Sequence, residues 1–117
     1  MTLSRSGIVK LRLRLKAFKK NRLVFIVDDS KDSDDEVEDT RTKLALLERF
    51  YCGLMTPYEG DAIHAIWDYR TRITLAGGMT DLENLVGCMC TVRAKTQVYS
   101  YSGAQAWKFV AVSIEAD

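Results

Sequence analysis

The chain has 117 residues, 47% of them hydrophobic and 28% charged, with a formal net charge of +1. That length suits one domain with a buried core, and the composition excludes general disorder. No apolar run approaches the ~20 residues of a membrane helix, and no apolar h-region follows the basic N-terminus, so a cytoplasmic protein without a signal peptide is expected.

The near-neutral total hides a segregation of charge. Residues 1–27 carry eight basic residues and no acidic one, whereas residues 28–39 carry eight acidic residues against Lys31 alone. Three cysteines (Cys52, Cys88 and Cys90) exclude a full disulfide framework. Cys88 and Cys90 lack a zinc spacing and His64 lies far from them in sequence, so no metal is expected.

In chain order, residues 9–16 alternate strictly. Val9, Leu11, Leu13 and Leu15 share one face, and Lys10, Arg12, Arg14 and Lys16 the other, which predicts a strand with one buried side. Lys19-Lys20-Asn21 reads as a turn. Leu23 to Val27 reads as a returning strand covered on both faces. Residues 28–40 are acidic and without apolar period, so a mobile loop is expected there. Residues 42–52 mix helix formers with a strand-like Phe50-Tyr51-Cys52 ending, and a third strand is the preferred reading.

Thr56-Pro57-Tyr58-Glu59 has the pattern of a helix start, with a capping box and proline at the first helical position. Ile63, Ile66, Trp67 and Ile73 continue at helical spacing, which predicts a helix over 57–76 stopped by Gly77-Gly78. His64 is then a partly exposed helix residue, Trp67 a core residue, and Asp61 and Asp68 solvated carboxylates. A short helical turn is expected over 81–85. Residues 88–99 alternate, with Cys90, Val92 and Ala94 inward. Tyr101-Ser102-Gly103 supplies turn chemistry, and 106–114 close a hairpin. The expected fold is mainly β: one domain over 1–117, a five-stranded OB-type barrel of order β-β-β-α-β-β.

No catalytic constellation is present. The sequence has no phosphate loop, no metalloprotease helix motif and no nucleophile elbow, so a non-enzymatic protein without cofactor is expected. The acidic run lacks the glycine and final glutamate of a calcium loop. Two patterns fit a nucleic acid instead. Lys10, Arg12, Arg14 and Lys16 form a row that could lie along phosphates, or else guard an edge strand by charge. Arg93, Lys95, Tyr99, Tyr101, Trp107 and Lys108 on the final hairpin combine cations with rings on which bases stack. Trp107 is either an anchor on the open face or core. The acidic run 28–39 reads as a solubilising loop, or as a tethered polyanion that competes for the basic face.

Residues 81–114 carry a more specific pattern. Asp81-Leu82-Glu83-Asn84-Leu85-Val86-Gly87 precedes a strand beginning Cys88-Met89-Cys90-Thr91-Val92. A tip with Tyr101 and Gly103 follows, then Trp107-Lys108-Phe109-Val110. This stretch resembles the end of the small OB-fold single-stranded-DNA-binding proteins encoded by phages. The resemblance implies that Arg93, Lys95, Tyr99 and Tyr101 line a DNA groove. It departs at the acidic C-terminal tail common in such proteins, since the acidic segment here is internal.

The resulting expectation is a protein that holds single-stranded DNA in replication, recombination or repair, through phosphate neutralisation and base stacking with little sequence preference. A homodimer or higher oligomer is expected, in the host cytoplasm if the source is viral, with replication or recombination proteins as partners. The alternatives are an RNA-binding viral protein and a module that binds only protein.

Overall fold

The alternating N-terminal segment becomes the strand β1, Ile8–Lys19. Its inward residues Val9, Leu11, Leu13 and Leu15 are all buried, as period-two alternation requires. The computed structural model describes residues 7–27, 35–74 and 82–116. Within them follow β2 (Arg22–Ile26), α1 (Asp35–Phe50), β3 (Tyr58–Glu59), β4 (Ala62–Ile66), β5 (Arg72–Thr74), a 3-10 turn at Leu82–Leu85, β6 (Met89–Tyr101) and β7 (Ala104–Ala116).

The protein is mainly β, a closed five-stranded barrel with a single helix among the described residues. β1 pairs antiparallel with β6 over residues 8–14 and with β2 over residues 14–19. A bulge between Leu15 and Ala17 marks the exchange of partners, and such a bulge bends a strand round a barrel. β2 pairs with β4, and β6 pairs with β7. A short parallel contact closes the ring, Ala65 with Phe109 and Ile66 with Val110. β3 and β5 add short edges to β4 and β7. The OB-type barrel expected from sequence is thus present.

The order of elements differs from the expected one, because the helix comes after the second strand. Residues 42–52 do not form a strand: the helix runs Asp35–Phe50 and also takes residues 35–40 of the expected loop. The rest of that loop, 28–34, lies outside the described residues. Val37, Thr40, Leu44 and Leu47 are its buried positions, a 3-4-3 spacing that makes one helical stripe. Asp35, Glu36 and Glu38 occupy the first turn, where carboxylates favour the helix dipole.

The helix expected over 57–76 is also absent. Residues 58–66 form a hairpin instead, with Tyr58 opposite Ile63 and Glu59 opposite Ala62. Gly60 takes φ 66° at the first loop position, the glycine-led two-residue turn that joins twisted strands. Ile63 and Ala65 then point inward at period two, and that pattern overrides the local capping box. Trp67 is only half-buried, following β4 and packed against the core edge. The expected stop at Gly77-Gly78 lies outside the described residues. The turn over 81–85 is 3-10 rather than α. The final hairpin matches expectation, and Ser102 and Gly103 both have positive φ at its tip.

The core centres on Trp107, which is 1% exposed. Tyr51 stacks on it at 4.8 Å and 21°, and Tyr58 and Phe109 approach edge-on at 5.7 and 5.0 Å. Such geometries suit the ring quadrupoles. Leu44 and Leu47 bring α1 into the same cluster.

Thr40 ties the helix to β1. Its buried hydroxyl accepts from the Arg12 backbone N–H at 2.7 Å and donates to the Glu36 carbonyl at 2.9 Å. Thr40→Val keeps the shape and leaves that N–H unpaired, so a loss of about 1–3 kcal/mol is expected in urea unfolding. An unchanged midpoint and slope would show that water reaches the edge instead.

Candidate nucleic-acid interface

The alternation of β1 places Lys10, Arg12, Arg14 and Lys16 on the outer barrel surface, but not as one open row. Lys10 and Lys16 are exposed. The Arg12 side chain is 15% exposed, with Nε 3.4 Å from Glu36 Oε2 and Nη1 donating to Thr91 Oγ1 at 3.2 Å. Arg14 donates from Nη1 to the Gly87 carbonyl. Lys43 Nζ lies 2.8 Å from Asp39 and donates to the Lys10 carbonyl at 2.9 Å. Glu36 of α1 thus pairs with Arg12, the Gly87 carbonyl holds Arg14, and the row expected from sequence is corrected to two exposed ends, Lys10 and Lys16.

The other sequence-selected residues sit on β6 and β7. Arg93 Nη1 lies 3.3 Å from Glu115, and Lys95 is exposed. Beyond Lys95, β6 outruns β1, because their pairing ends at Ile8 with Lys95. Residues 97–105 thus form an arm that projects past the barrel, every residue of it exposed. Tyr99 and Tyr101 are 38% and 59% exposed there. Lys108 Nζ stands 5.1 Å from the centroid of the Tyr99 ring, a cation–π pair at the arm's base. Trp107 is the exception: buried among Tyr51, Tyr58 and Phe109 it offers no surface to a base, and its place is the core.

Pairing across the sheet brings together residues that the sequence reading left out. Arg22 lies opposite Ile66, Ile66 beside Val110, and Val110 opposite Lys95. One row of the outer face thus has a cation at each end and two half-buried aliphatic side chains between. Lys19 and Lys20 lie exposed at the β1–β2 turn beside it. The Lys19-Lys20-x-Arg22 cluster was visible in sequence but read only as a turn. Gly60-Asp61 was the missed hairpin signal that would have set His64 and Ile66 beside β2.

A cleft opens next to this row, lined by Arg22, Thr56, Pro57, Tyr58, Glu59 and His64. Burial lowers the His64 pKa, and the charges of Arg22 and Lys19 push it the same way against Glu59, whose Oε2 is 3.4 Å from Nε2. The imidazole is therefore neutral at pH 7. The Tyr58 hydroxyl is held protonated, first by burial and then by the charge of Glu48.

No protein-family model matches this chain, and no curated protein matches it. Solved structures do. The C-terminally truncated single-stranded DNA-binding protein from bacteriophage Enc34 is similar with a TM-score of 0.66 and 10% identity, over 97% of this chain and 87% of that one. The form of that protein without the truncation gives 0.66 and 10% over 97% and 82%. Its complex with ssDNA gives 0.59 and 10% over 98% and 88%.

The folded-state pKa of His64 lies below its unfolded value, so its neutral form stabilises the fold fully above the unfolded pKa of about 6.5. That contribution falls as pH drops below this value towards the folded pKa. His64→Gln is expected to flatten the melting temperature between pH 7.5 and 5 relative to wild type. Parallel curves would remove His64 as the cause. What this chain shares with the phage proteins is the fold, an OB barrel along nearly its whole length.

Proposed function

We propose that this protein binds single-stranded DNA and holds it during replication, recombination or repair. The observation that carries the reading is the joining of a cationic sheet row to a projecting aromatic arm on an OB barrel. OB folds bind oligonucleotides on the face of their second and third strands and on the loops between strands one and two and four and five. Here those are β2, β4, the turn at residues 20–21 and the 97–105 arm. The solved structures of similar fold are phage proteins of that activity, one of them bound to ssDNA.

In this reading Lys16, Lys19, Lys20, Lys95 and Lys108 neutralise phosphates, while Tyr99 and Tyr101 stack on bases. Lys10 and Arg93 extend the path along β1 and β6, where they lie opposite each other. A face that meets the strand through its charge and ring surfaces binds any sequence. A duplex has its bases stacked within and cannot give them to the arm.

Fluorescence anisotropy with a labelled oligo-dT and a duplex of equal length tests this. Tighter binding to the single strand is expected, weakening as salt rises. Tyr101→Ala should cost about 1–3 kcal/mol of affinity without changing the circular dichroism, since the ring is exposed. Lys95→Ala should reduce the slope of log K against log salt by about 0.7, the share of one phosphate on a single strand. Absence of binding at low salt would discard the reading.

A further inference from the structure

The cleft beside the sheet row has a composition that phosphate binding does not explain. Glu59 projects from β3 with its side chain 83% exposed, in the same cleft as Arg22. An exposed carboxylate there repels a phosphate backbone and weakens any purely electrostatic grip. Nor does His64 cancel that charge, because its imidazole is neutral at pH 7. Among the described residues, Arg22 has no ion pair to hold its guanidinium. β4 lies between β2 and β3 in the sheet, so Arg22 and Glu59 stand on either side of His64 around one opening. Its volume is about 310 Å³. Pro57 and Tyr58 supply apolar wall.

An ionised carboxylate only accepts hydrogen bonds, through two oxygens side by side. It therefore selects a group with two adjacent donors. Of the four DNA bases only guanine has one, at N1–H and the N2 amino group. Adenine and cytosine place an acceptor beside their amino donor, and thymine has a single donor between two acceptors. The guanidinium fork of Arg22 adds a second criterion, because it matches the O6 and N7 acceptors on the neighbouring edge of the same base.

We infer that this cleft takes one base of the bound strand and prefers guanine, with Glu59 accepting from N1–H and N2–H and Arg22 donating to O6 and N7. The inference rests on the single-strand reading above and adds one selective position to a path that otherwise tolerates any base. The strand then has a register, set wherever a guanine reaches the cleft.

The test uses the full chain and a set of oligo-dT strands that differ at one central position, carrying dT, dG, dA, dC or deoxyinosine. Wild type is expected to bind the dG strand about tenfold tighter than all-dT. Deoxyinosine, which lacks the N2 amino group, should fall between them. Glu59→Gln turns one acceptor into a donor and should abolish the dG preference, read as the ratio of dG-strand to all-dT affinity. Equal binding of the dG and dT strands by wild type would overturn the inference and leave single-strand binding standing, as would a preference that survives Glu59→Gln. Failure to bind any strand would overturn both.

Discussion

The structure turns on the exchange of partners halfway along β1. β2 has only five residues and reaches only the second half of β1, while β6 takes the first half. The bulge at Lys16 lets one strand serve both sides, and the sheet closes on itself once β4 meets β7. The exchange has a cost, because among the described residues the first half of β1 keeps an edge with no strand beside it. An open edge needs cover, and α1 provides it through Thr40 and Lys43, which take the Arg12 N–H and the Lys10 carbonyl.

The electrostatics of the surface follow from that cover. The helix lies against β1 with its acidic first turn, so Glu36 reaches Arg12, while Asp39 pairs within the helix with Lys43. Part of the acidic run is therefore built into the fold as a counterion to the basic strand. The cations that remain exposed include Lys10, Lys16 and Lys19 on β1, Lys20 in the turn after it and Lys95 on β6, with Arg22 and Lys108 half-buried on β2 and β7. An arm rises beyond the barrel at Lys95 because β6 and β7 are 13 residues each and β1 supports only part of them. Lys108 stands at the foot of that arm against the Tyr99 ring.

Much of the barrel could be read along the chain. β1, β2, β6 and β7 each bring a period-two or continuous apolar signal, and each stands where its pattern put it. The middle could not be read the same way. Thr56-Pro57-Tyr58-Glu59 satisfies a helix cap on local grounds, yet Tyr58 is needed at the edge of Trp107 and Ile63 inside the barrel. Residues 42–52 carry a helical stripe whose first members, Val37 and Thr40, sit within the acidic run and were passed over as loop. Local propensity is weak beside the burial of a whole face.

By itself the sequence determined that the fold is mainly β, that the hairpin ends in tyrosines, and that opposite charges are segregated. These properties are written in periodicity and composition, which need no long-range partner to be legible. Only the tertiary structure decided which cations stay free, that Trp107 is core, and that Arg22, His64 and Glu59 share one cleft. Each of those outcomes depends on pairing between residues far apart in the chain. An arginine's freedom is set by whether a helix lies over it, and a ring's role by which other rings surround it.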